Sequence, residues 1–117
     1  MKSKQTARKP SISEFLSYVP VRANYDWTVD EQGLVHIEVP KFQSTIGKKL
    51  CRLLRRKETF TADMDRLGSI VWLHCDGKKT VKDILQVLKE QCSDEKDLDQ
   101  RLFLFLRQMN NLNYILY

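Results

Sequence analysis

The chain has 117 residues, 42% of them hydrophobic and 30% charged, with a formal net charge of +5, the composition of a soluble globular protein with chain enough for one modest core. It holds no run of about 18 apolar residues, which excludes a transmembrane helix. Its basic start, MKSKQTARKPSISEFLSYVP, lacks the apolar stretch of a signal peptide, so a cytoplasmic protein is expected.

Residues 1–20 read as an N-terminal tail in which ISEFLSYVP has a few apolar residues able to dock and Pro20 ends the segment. Residues 21–117 form the domain. NYDWTVDEQGLVHIEVP predicts a β-hairpin: Tyr25, Trp27 and Val29 alternate with Asp26 and Thr28. On the second strand Val35, Ile37 and Val39 share one face, with His36 and Glu38 on the other. Asp30–Gly33 supplies the turn, Gly33 being free to take a positive φ, and Pro40 stops the strand. In STIGKKLCRLLRRK, Ile46, Leu50, Leu53 and Leu54 form one stripe among lysines and arginines, a short basic amphipathic helix. ETFTADM alternates again, Phe60, Ala62 and Met64 against Thr59, Thr61 and Asp63, and predicts a third strand.

Three helices follow. The first starts at about Asp65, which caps it, and carries Leu67, Ile70, Val71 and His74 on one stripe. Gly77 ends it in the left-handed conformation, and Trp72 anchors it. Thr80–Asp83 has the form of a capping box for the second helix, whose apolar side is Val81, Ile84, Leu85 and Leu88. Ser93 is placed to cap the third, with Asp94, Glu95 and Asp97 at the positive end of its dipole. Its stripe is Leu98, Leu102, Phe105, Met109 and Leu112, with Phe103 and Leu106 off it. A helix apolar on two sides is either buried on both or lends one side to a ligand. The closing YILY is a short strand or an extended tail. The fold class is thus α+β: three antiparallel strands, then three helices, with a basic helix inserted between strands two and three.

Charge is uneven. Residues 1–57 carry 12 Lys/Arg against 5 Asp/Glu, and residues 58–117 carry 8 against 10. The run from Lys41 to Lys57 has no acid. Such an excess suits nucleic acid, a membrane surface or an acidic peptide, or is a solvated basic face. Sequence-specific DNA binding is disfavoured, because the third helix opens SDEKDLD where a groove-reading helix brings Lys, Arg, Asn or Gln. The insert has the charge of an interfacial helix but only three turns, and the preferred reading is that Ile46, Leu50 and Leu53 cover part of the sheet.

Catalysis has little to rest on. His36 and His74 are far apart and stand in no Ser/His/Asp order or HExxH spacing. His74 reads as a hydrogen-bonded core histidine. Cys51, Cys75 and Cys92 fall at no metal-ligand or CxxC spacing and read as reduced thiols packed as small apolar residues. No enzyme, cofactor or metal is expected.

DRLGSIVWLHCDGKKTVKDILQVL, with a third helix ending FLRQMNNLNYIL, resembles the PqqD family over roughly residues 58–117. The shared pattern is an Asp and a Leu-Gly before an apolar-Trp helix, then Asp-Gly, a basic residue and Thr-Val before an apolar-spaced helix. The shortest family members turn directly from strand to strand where this chain carries residues 41–57. The resemblance implies a winged-helix-like domain, a peptide chaperone of the kind called a RiPP recognition element. Such domains bind the leader of a ribosomally made precursor peptide and present it to a modifying enzyme, often a radical SAM enzyme. It implies strand addition at the edge of the third strand, in the cleft facing the third helix. The expected peptide-binding residues are Thr59, Phe60, Thr61, Ala62, Asp63 and Met64, with Arg101, Phe105 and Gln108 on the helix. An exposed edge offers unpaired N–H and C=O groups that an extended peptide satisfies. Arg101 would pair with a peptide carboxylate and Gln108 with peptide backbone, while Phe105 would lie under a peptide side chain or simply pack.

Overall fold

The computed structural model describes residues 9–40 and 59–117. The basic helix expected within residues 41–57 lies outside them.

A three-stranded antiparallel sheet precedes three helices, as the sequence predicts. Strands β2 (Asp26–Val29), β3 (Val35–Pro40) and β4 (Thr59–Asp63) lie in the order β2-β3-β4. The hairpin turn is built by Asp30, whose Oδ1 accepts from the N–H groups of Gln32 and Leu34 at 2.9 Å each. Gly33 closes the turn at φ 84°, where a Cβ would be strained. Val35, Ile37 and Val39 are buried against the helices and set the register, since a slip of one residue would turn all three to solvent.

The helices are α2 (Arg66–His74), α3 (Val81–Gln91) and α4 (Leu98–Asn111). Asp65 caps α2 by accepting from the Gly68 N–H at 2.8 Å. Thr80 and Asp83 form the complete capping box of α3. Between them Gly77 sits at φ 79°. Asp76 fixes the turn through the Lys78 N–H at 2.9 Å and the Lys79 ammonium at 3.1 Å, which together hold its carboxyl down at about 2. Trp72 is fully buried, edge-to-face with Trp27. Its indole N–H has no acceptor among the described residues, so packing alone accounts for its place. Cys75 is buried too, and burial pushes its thiol up to about 12.

Three expectations need correction. ISEFLSYVP, read as mostly tail, forms helix α1 (Ile12–Leu16) with a capping box between Ser11 and Glu14. Phe15 is buried, and the chain then runs as β1 (Val21–Arg22) beside β5 (Ile115–Leu116). Arg22 donates through Nη1 to the Trp72 and Leu73 carbonyls at 2.8 and 3.2 Å, so the early segment satisfies the open end of α2. Secondly, α4 starts at Leu98, not after Ser93. Its N-cap residue, Asp97, is left-handed (φ 56°) and makes no side-chain cap bond. Glu95 instead binds Arg101 at 2.6 Å and Arg66 at 3.8 Å, so residues 93–97 tie a turn to two helices. Thirdly, the buried stripe of α4 is Leu98, Leu102, Leu106 and Met109. Leu106 replaces Phe105 in the core, and Leu112 is 55% exposed. A similar rotation affects α2, where Trp72 is buried while His74 is half-exposed at the helix end. Burial and the Lys79 charge lower the pKa of His74.

Candidate peptide-binding edge

Among the described residues β4 is an edge strand, paired with β3 on one side. The Met64 N–H donates to the Val35 carbonyl at 2.9 Å. Antiparallel strands alternate, so the N–H and C=O groups of Phe60 and Ala62 also point inward to β3. Those of Thr59, Thr61 and Asp63 then point away from the sheet. No described residue pairs with that outer row.

The inner end of the ladder is finished by a side chain. The Val35 N–H donates to Ser69 Oγ at 2.8 Å, and Ser69 is the one buried polar residue in the described core. Its hydroxyl ties α2 to the sheet beside the point where β4 stops.

The two faces of β4 differ. Phe60, Ala62 and Met64 lie on the helix-facing side, opposite Val39, Ile37 and Val35. Ala62 and Met64 pack on the core, whereas Phe60 is 44% exposed. On the other face Thr59 and Thr61 donate their hydroxyls to Glu38 Oε1 and Oε2 at 3.1 and 2.7 Å. Asp63 accepts from His36 Nδ1 at 2.6 Å, while His36 Nε2 meets Asp30 Oδ2 at 2.8 Å. A neutral imidazole carries one N–H, so two carboxylates favour the imidazolium. These contacts raise the pKa of His36 and pin the end of β4 to the hairpin turn.

The helix residues reach this edge unequally. Phe105 lies over the start of α2: a Cβ on Gly68 would come 2.9 Å from Phe105 Cε1. Gly68 therefore admits the ring, and the ring stands by the residues that directly follow β4. Arg101 is on the same side, its guanidinium held by Glu95 through Nη1 and close enough to Asp65 to feel its charge. It is an exposed, paired arginine rather than a waiting cation. Gln108 is exposed one turn beyond Phe105, and its side chain has no hydrogen-bond partner among the described residues.

Sequence reasoning missed Ser69, Glu38 and Glu95 as the groups that position this edge. Gly68 carried a legible signal, a glycine inside a helical pattern, which marks a close approach. Nothing in the spacing pairs Ser69 with Val35, 34 residues away.

The family model of coenzyme PQQ synthesis protein D (PqqD) matches residues 53–115. The chain belongs to the PqqD family. No curated protein and no solved structure matches it. The matched span takes in β4 and all three packed helices, and membership suggests a partner protein that binds ribosomally made precursor peptides.

Proposed function

We propose that this chain is a non-catalytic, cytoplasmic module that binds the leader of a ribosomally made precursor peptide as an added strand on β4 and presents it to a modifying enzyme, with radical SAM chemistry the leading candidate. The observation that carries this reading is the outer row of N–H and C=O groups at Thr59, Thr61 and Asp63, unpaired among the described residues and lying beside the half-exposed Phe60. A peptide strand docked there satisfies those groups, and its alternate side chains fall toward Phe60 on the helix-facing side. Phe105 lends apolar surface at the far end. Gln108 has a free amide for peptide backbone, and Arg101 shares its remaining N–H groups with a peptide carboxylate while Glu95 holds Nη1.

The edge itself provides the test. Thr61→Pro removes an outward N–H and leaves the β3–β4 ladder intact; Phe60→Pro removes an inward one and damages the sheet. The probe is a synthetic leader of a precursor encoded beside this protein. Thr61→Pro should keep the far-ultraviolet spectrum and lose most binding, with Thr61→Val controlling for the hydroxyl contact to Glu38. Full-strength binding by folded Thr61→Pro removes β4 from the site. A mass change in the peptide on incubation with this protein alone would overturn the non-catalytic reading.

A further inference from the structure

The opposite side of α4 carries a cavity of about 670 Å³ between α1, α4 and the last residues of the chain. Phe15 is its floor, and its ring meets Tyr18, Phe103 and Tyr117 edge-to-face at 5.6, 5.3 and 5.4 Å between centroids. Tyr18 and Tyr117 stack on one another at 5.4 Å. Lys9 and Arg107 line it, and no Asp or Glu does. Neither cation has a carboxylate within salt-bridge distance among the described residues. Ile12 adds to the wall and is 68% exposed.

We infer that this cavity is a second binding site, which takes a protein segment carrying one large apolar side chain flanked by carboxylates. An aromatic floor accepts a ring edge-to-face. Two lining cations unpaired among the described residues, with no Asp or Glu side chain beside them, select against basic and neutral flanks. The site is separate from the β4 edge: Phe103 and Arg107 are on the α1 side of α4, whereas Phe105 turns to α2. It also draws half its walls from residues 9–18, which lie outside the span matched to the family.

The test uses unlabelled Ac-EEFEE-NH2 and isothermal titration calorimetry on the full chain. Ac-EEAEE-NH2 lacks the anchor, and Ac-KKFKK-NH2 reverses the flanks. The first peptide should bind and the other two should not. Arg107→Glu should weaken it about tenfold, the scale of losing one charge pair and gaining a like-charge contact. Ile12→Ala should weaken it too; that side chain is mostly exposed, so its loss leaves the core untouched. Lys82→Glu on α3 changes net charge equally and should have no effect. Equal binding of all three peptides, or equal loss with Lys82→Glu and Arg107→Glu, overturns the inference as non-specific attraction. Tighter binding of phenylpropionate than of Ac-EEFEE-NH2 overturns it in favour of a small-carboxylate site. Leader binding at β4 should survive Arg107→Glu, so the two sites fail separately.

Discussion

Phe103 and Phe105 stand two residues apart on α4 and serve opposite sides of the molecule. Phe103 is covered by α1, where Phe15 takes its ring edge-to-face. Phe105 packs on the core from the start of α2, through the gap that Gly68 leaves. The first side is made by the two ends of the described chain, and the second by neighbours within the family-matched span. Burial alone would have left α4 with one apolar stripe, which Leu98, Leu102, Leu106 and Met109 already provide. The phenylalanines on either flank of that stripe are what give the helix two further surfaces.

Trp72 belongs to the same buried cluster as Phe15 and Leu106, so its loss should be the largest and should spare neither side. Trp72→Ala is expected to cost about 3–5 kcal/mol in urea denaturation, the range for truncating a fully buried large aromatic residue. A loss under about 1 kcal/mol would show that Trp72 is not an anchor.

Phe15→Ala separates the two sides. It should cost about 3 kcal/mol and abolish binding of the acidic aromatic peptide. Leader binding at β4 should persist in the folded fraction, measured at a temperature well below the lowered midpoint. Equal loss of both would mean that α1 supports the edge as well.

Gly68→Ala is the converse. The added methyl meets the Phe105 ring and Asp65 Oδ1 at 2.9 and 3.1 Å, and the expected cost is about 1–3 kcal/mol, as for other overpacked sites. Calorimetry should show weakened leader binding and unchanged acidic-peptide binding. Wild-type affinity for the leader would place Phe105 outside the site.

The smallest effect is the pH dependence of the edge. The pKa of His36 is raised above its ordinary 6.5, first by its hydrogen bond to Asp30 and then by that to Asp63. A raised histidine contributes stability that is complete below about 6.5 and is lost as pH rises through the higher folded-state value. Asp30 is lowered from 3.8, chiefly by His36, so its share is present above that value and lost on acidification. Stability measured between pH 5 and pH 9 should therefore fall on the alkaline side, and His36→Gln should flatten that slope. An unchanged slope in the variant would assign the pH dependence to another group.

The local grammar of the chain was legible without the structure. Alternation set the hairpin and β4, because a strand buried on one face repeats every two residues. Asp65 and Thr80–Asp83 set the helix starts, because caps act through neighbours in sequence, whereas α2 ends at His74 with Cys75 as its cap and Gly77 binds the Pro20 carbonyl instead. The pattern Trp-x-x-x-Asp-Gly-x-x-Thr-Val led to the family, and the edge position of β4 came with that resemblance. What only the tertiary structure decided depends on residues far apart in the chain. Arg66 and Arg101 draw Glu95 away from a dipole role, so α4 begins at Leu98. Gly68 lets Phe105 settle on α2, and Leu106 takes its place in the core. ISEFLSYVP gained its helix and its burial only because Phe103 and Tyr117 wait across the fold to receive Phe15. An isolated five-residue helix has too few hydrogen bonds to hold itself, and long-range packing makes up the difference.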